Sequence, residues 1–329
     1  MAAPESTTPE TTGQGANGSE EGKPDVVLGS TLEGDRKSFA VSIRGLVNRF
    51  GKQVVHDGLD LDIKRGEVMG IVGGSGSGKS VLLRTILGLN KPAEGDILLL
   101  GEDHRDLNEA DWQRVQARCG VLYQSGALFS SLTVAENIEA PMREHSDLDR
   151  DMMDQLAALK IQLVGLPLEA GDKYPSQLSG GMKKRAGLAR ALSLDPEIIF
   201  LDEPTAGLDP IGAADFDQLI LSLQRSLGLT VVMVTHDLDT LVAICDRIAV
   251  LLEKKIRVGT MAELMRDPHP WMQEYFHGPR ARAAGMEKSG QSPGGQGPGD
   301  QSPGGQNPGD QSQSGKGTDE SEKGAAHAG

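Results

Sequence analysis

Apolar and polar positions alternate along SFAVSIRGLVNRF (38–50) and QVVHDGLDLDI (53–63), the period-two pattern of half-buried antiparallel strands. The pattern then changes. EVMGIVGG (67–74) is a short apolar run ending in glycines, and KSVLLRTILGL (79–89) has helical spacing. RCGVLYQ (118–124), EIIFLDE (197–203) and TVVMVTH (230–236) are further apolar runs of strand length, each closed by a polar residue. DRIAVLLEKKIRVGT (246–260) reads as a closing hairpin, and PWMQEYFHGPR (270–280) as a last helix. Buried strands that alternate with helices predict an α/β fold with a mostly parallel core sheet covered on both faces. Chemistry in such sheets gathers at the carboxyl ends of the strands. Gln124, Asp202, Glu203 and His236 are therefore expected to converge.

The ends follow neither pattern. Residues 1–36 carry seven acids against two bases, and residues 279–329 are mostly Gly, Pro, Gln and Ser. QSPGGQGPGD (291–300) recurs as QSPGGQNPGD (301–310), without the Gly at every third position that collagen requires. Both ends have too little apolar surface to offset chain entropy and read as disordered, the tail as a tether. One folded domain over 37–278 remains. The net charge of −14 leaves about −8 on that domain, which argues against a nucleic-acid partner. The start lacks the basic and apolar regions of a secretory signal, and no apolar run approaches 18 residues. Any work at a membrane is expected to be peripheral. Cys119 and Cys245 lack a CxxC or a His cluster and read as small apolar residues.

GGSGSGKS (73–80) fits G-x-x-x-x-G-K-[ST] between a strand and a helix. Gly73, Gly74, Ser75, Gly76, Ser77 and Gly78 are expected to wrap phosphate oxygens with backbone N–H groups, aided by the helix N-terminus. Lys79 is expected to reach the β- and γ-phosphates of ATP, and the Ser80 hydroxyl to coordinate Mg²⁺. Asp202 is expected to hold Mg²⁺, directly or through water, and Glu203 to polarise the attacking water as a general base. Gln124 and His236 fit a γ-phosphate sensor pair, with Gln124 also contacting the metal.

Phosphate loop, strand-end Gln, LSGGM (178–182), LDEPTAGLD (201–209) and strand-end His occur once each, in this order. Over roughly residues 38–265 the chain resembles the nucleotide-binding subunit of an ABC transporter. The resemblance implies an ATPase with an antiparallel β subdomain and a helical signature subdomain at about 125–190. It also implies a homodimer in which Ser179, Gly180 and Gly181 cap the partner's γ-phosphate and Asp209 couples the two sites. Phe50 matches the aromatic that stacks on adenine. The signature departs from the family at Met182, where Gln is usual; Met keeps the length and helix propensity of Gln and loses its amide. SGALF (125–129), MREH (142–145) and LSGGMKKRAGLARAL together resemble the ATPases of Mla and Mce-type lipid transporters. That implies an integral-membrane permease, an MCE-domain lipid-binding protein, a small STAS-type regulatory subunit, and a peripheral position on the cytoplasmic face of the inner membrane. Arg143, Glu144 and His145 would then lie at the permease groove; the plainer reading is a solvated helix end. The alternatives are an ABC ATPase for another solute and a soluble ABC ATPase of DNA repair or translation. The single phosphate loop and the absence of a coiled-coil insertion between Lys79 and Ser179 count against the soluble class.

Overall fold

A computed structural model describes residues 36–278. The expectations for the tail repeat and for residues 1–35 lie outside the described residues. The first two segments form β1 (Phe39–Phe50) and β2 (Gln53–Lys64), paired antiparallel from Phe39 opposite Lys64 to Phe50 opposite Gln53. β2 alternates in burial, as its pattern predicts. β1 does not: Ala40 to Ile43 are buried without a break. The polar position there, Ser42, is covered by its own partners. Its hydroxyl donates to Asp62 (2.8 Å) and accepts from Arg36 (3.0 Å), whose guanidinium also pairs with Asp96 at 2.6 Å.

β3 (Val68–Gly73) runs into α1 (Lys79–Ile86). β4 (Glu94–Leu99) and β5 (Glu102–Asp103) join the first sheet, whose order is β2-β1-β4-β5. α2 (Glu109–Ala117) leads to β6 (Cys119–Leu122). A helical arm follows, with α3 (Val134–His145), α4 (Arg150–Leu163) and α5 (Gly180–Ala191). Thr133 and Glu136 close a capping box on α3, and Asp149 caps α4. The chain then builds β7 (Ile198–Asp202), α6 (Pro210–Leu227), β8 (Thr230–Val234), α7 (Leu238–Ile244), β9 (Arg247–Leu252) and β10 (Lys255–Gly259). Two short helices, α8 (Met261–Leu264) and α9 (Pro270–His277), end the described chain.

The second sheet has the order β10-β9-β3-β8-β7-β6, all parallel except the β9–β10 hairpin. That hairpin turns through Glu253 and Lys254, both at positive φ, as the right-handed twist of two-residue hairpins favours. Period two sorts the parallel strands between two cores. Ile198, Phe200, Val232 and Val234 face α1 and the antiparallel sheet. Ile199, Leu201, Val231 and Met233 face the arm and α6. Each such side chain, fully buried, contributes roughly 1.5–3 kcal/mol. A third cluster seats α9, through Met272 and Phe276, on Val72 and Val250. α5 lies close to β6: a Cβ on Gly120 would stand 2.2 Å from the Ala191 carbonyl oxygen, so only glycine fits there. No described helix is long and apolar enough to cross a membrane.

Candidate functional site

Strand register brings the expected residues together. β3 pairs with β8 at Ile71–Val234, β8 with β7 at Val234–Asp202, and β7 with β6 at Leu201–Leu122. Gly73, His236, Glu203 and Gln124 follow within two residues of these pairs, so all four leave the sheet at one edge.

The phosphate loop leaves β3 and enters α1 through Gly78, at φ +98°. A Cβ there would also lie 2.5 Å from Val55 and 2.6 Å from His56 Nε2. Strand β2 is thus packed under the loop. His56 is fully buried, its Nδ1 lies 2.9 Å from the Asn48 amide nitrogen, and burial lowers its pKa to about 4. It stays neutral beneath the loop. The Lys79 ammonium arches back and donates to the carbonyls of Gly73 (2.8 Å) and Gly74 (3.1 Å). Burial pulls its pKa down, against the opposing pull of the Glu203 and Asp202 carboxylates. Ser80 is exposed at the first turn of α1.

Glu203 leaves β7 at φ +50°, a left-handed conformation that a non-glycine residue adopts only where its surroundings hold it. Its amide donates to Val234 O at 2.8 Å. Its carboxylate lies 2.8 Å from His236 Nδ1. The Glu203 side chain is 15% exposed and that of His236 64%, so the acid is sheltered and the imidazole can be reached from solvent. Beside them, Asp202 is held above the usual carboxylate range by burial and then by the Glu203 charge; Arg84, Lys184 and Lys79 oppose the shift. The Gln124 side chain is exposed.

The signature turn stands apart. Ser179 caps α5 by accepting from Met182 N at 3.3 Å, and Gly180 has open space where a side chain would be. Among the described residues no hydrogen bond joins Ser179, Gly180 or Gly181 to residues 73–80. The Asp209 carboxylate caps α6, accepting from Ile211 N (3.1 Å) and Gly212 N (3.0 Å). Phe50, at the tip of the β1–β2 hairpin, is 51% exposed. It is not a core residue.

Sequence reasoning missed two features of this edge. Lys184 donates from α5 to the carbonyls of Gln124 and Glu203, the latter at 2.9 Å. The signal was a lysine on the buried stripe 184, 187, 188, 191 of that helix. The second is α9. The Tyr275 hydroxyl donates to His236 O at 3.3 Å and its ring stacks on Trp271, whose indole nitrogen would lie 3.9 Å from a Cβ on Gly74.

Comparison with known proteins agrees with this geometry. The family model described as ABC transporter matches residues 56–206. The probable ribonucleotide transport ATP-binding protein Mkl of Mycobacterium leprae is 37% identical over 252 residues, 76% of this chain and 72% of that protein. The intermembrane phospholipid transport system ATP-binding protein MlaF of Haemophilus influenzae is 37% identical over 239 residues, 72% of this chain and 90% of that protein. A solved dimeric ATP-binding cassette, in a post-hydrolysis state bound to ADP and Pi, matches with a TM-score of 0.61 at 30% identity, over 67% of this chain and 98% of its own. A phosphate loop at the carboxyl edge of a parallel sheet, with this likeness, defines an ATP-binding, ATP-hydrolysing cassette. The chain belongs to the ABC transporter family.

Proposed function

We propose that this chain is the motor subunit of a transporter that moves phospholipid or another hydrophobic lipid across the bacterial envelope. The observation that carries the motor reading is the Glu203–His236 pair at 2.8 Å beside the phosphate loop. The lipid reading rests on 37% identity to the MlaF protein, together with SGALF, MREH and the Met182 signature.

Residues 73–80 hold the phosphates of ATP, with Lys79 on the β- and γ-oxygens, and Phe50 stacks on adenine. Glu203 takes a proton from the attacking water, and His236 Nδ1 holds that carboxylate in place while the ring meets the γ-phosphate. Ser80, Asp202 and Gln124 suit Mg²⁺, which keeps several waters and takes one or two carboxylates plus phosphate oxygens. Burial and then the neighbouring Glu203 charge raise the Asp202 pKa, and a cation bound there would offset both. When bound, Mg²⁺ neutralises charge on the transferred phosphoryl group. Ser179, Gly180 and Gly181 serve the nucleotide of a second copy, and Asp209 links the two sites.

The folded unit is 37–278, with the arm at about 125–190 as the part that meets a permease. A groove of about 200 Å³ beside edge strand β6, lined by Pro141, His145 and Arg190, suits a permease loop. Arg143 is paired with Glu139 on the same helix and is not among the residues that line this groove. An MCE-domain protein and a small STAS-type subunit complete the assembly on the cytoplasmic face of the inner membrane. A different solute is the second reading, favoured by the name of the Mkl relative.

Glu203→Gln tests both levels. It is expected to bind ATP, hold the dimer closed and lose turnover; turnover at the wild-type rate would remove Glu203 as the base. The same variant, tagged and purified from gently solubilised membranes with ATP, is expected to bring a polytopic permease and an MCE-domain protein. A permease with another solute-binding partner would transfer the assignment to the second reading.

A further inference from the structure

Lys184 has no role in the scheme above, yet it touches two of its parts. It is 6% exposed and lies on the face of α5 that otherwise buries Gly187, Leu188 and Ala191. An ammonium in such a place is costly unless its protons are matched to acceptors. The acceptors are the main-chain carbonyls of Gln124 and Glu203. We propose that Lys184 is a positioning residue that ties the Gln124 loop and the Glu203 turn to the helix bearing the signature, so that the signature's engagement on the partner's nucleotide sets this chain's own hydrolytic geometry. The inference rests on the roles proposed for Gln124 and Glu203.

Three features support it. Glu203 sits at φ +50°, and its peptide is pinned on both sides, by its own N–H to Val234 O at 2.8 Å and by Lys184 on its carbonyl at 2.9 Å. The direction of its carboxylate toward His236 therefore depends on this bond. Gln124 lies past the end of β6, where no ladder holds it, and the Lys184 bond takes the ladder's place. Finally, Lys184 is five residues beyond Ser179 in one helix, a rise of about 7–8 Å, and a helix transmits such a displacement nearly rigidly. Burial lowers the Lys184 pKa, and the Glu203 and Asp202 carboxylates oppose that shift.

The test compares Lys184→Met and Lys184→Arg with wild type in the full-length chain. Steady-state ATPase kinetics and thermal melting are read for each, with Glu203→Gln alongside. Met keeps the stem and removes the donors; Arg keeps two or more donors. Lys184→Met is expected to lower kcat at least about tenfold with KM within about twofold, the signature of a contribution made at the transition state. It is also expected to flatten the ATP concentration dependence toward a Hill coefficient of about 1. Lys184→Arg is expected to recover most of kcat at a similar melting temperature. Wild-type kcat in Lys184→Met would overturn the proposal. So would Lys184→Arg as slow as Lys184→Met, because loss would then follow shape and not donation. If Lys184→Met does not fold, Lys184→Leu, which also lacks donors, carries the same comparison with Lys184→Arg. A dead Glu203→Gln with an unimpaired Lys184→Met would overturn the Lys184 role alone; an active Glu203→Gln would overturn the reading it rests on.

Discussion

Asp217, 4% exposed on α6, accepts from the Thr240 hydroxyl at 2.8 Å with one oxygen, while its other oxygen is buried without a partner. Burial is the main cause that lifts its pKa to about 6 from 3.8, and Asp237 and Asp239 add to the rise. The folded pKa is above the unfolded one for an acid, so folding is penalised as pH rises from about 4 to 6, and the full penalty stands above 6. A rise of that size costs at most about 3 kcal/mol. Asp217→Asn keeps an acceptor for Thr240 and removes the charge. Its denaturant midpoint is expected to exceed wild type at pH 8, with the gain shrinking as pH falls toward 4. No gain at pH 8 would mean that the carboxylate is already satisfied. Met182 is a quieter case at this scale. Its backbone N–H completes the Ser179 cap and its side chain packs, partly buried, on the arm's core, so it needs no amide. Met182→Gln is expected to leave kcat within about twofold of wild type, because neither the cap nor the Lys184 bonds involve this side chain; an ATPase assay checks it.

Among the elements, α9 has the most specific consequence. Trp271 and Tyr275 stack with centroids 4.6 Å apart, and one end of that stack meets the phosphate loop while the other is bonded to the His236 carbonyl. The chain has two tryptophans. Trp112 is buried with its indole nitrogen unpartnered, so Trp112→Phe forfeits no hydrogen bond. In that variant Trp271 emission is expected to change saturably as ADP is added; flat emission at saturating nucleotide would place α9 outside the field of the site. The aromatic spacing of this helix was visible in PWMQEYFH, but where it docks was not. The same division runs through the other elements. β7 and β8 were legible because each apolar run is buried on both faces and ends abruptly in a polar residue; β6 ends the same way at the sheet edge, and β3 was marked by the glycines that follow it. β4 escaped notice because GDILLL has no polar residue at its end to mark it, only a turn into β5. β1 misled in burial because Ser42, Arg36 and Asp62 satisfy one another under cover. In the arm, Thr133 and Asp149 mark where two of the helices begin, each accepting from the backbone of its first turn.

At the scale of the whole molecule, the proposed roles give one chain two half-sites, and no hydrogen bond joins Ser179, Gly180 or Gly181 to residues 73–80 among the described residues. The strand-end residues converge by register, and this half was readable because a phosphate loop and strand-end acids each have a local cause. The other half begins at Ser179, on an exposed turn. A dimer in which each signature serves the partner's loop separates two quantities that a site built within one chain would keep together. Ser179→Asp isolates them, since Asp caps a helix as well as Ser does and adds a charge where the proposed arrangement puts the partner's γ-phosphate. The monomer's ADP affinity is expected to stay within about twofold of wild type, because the phosphate loop is untouched. In the Glu203→Gln background, ATP-driven dimerisation is expected to be lost on size exclusion. Lys79→Ala should lose both. Were Ser179→Asp to lower monomer affinity as far as Lys79→Ala does, the signature would belong to its own chain's nucleotide, and the face-to-face arrangement would fall with it.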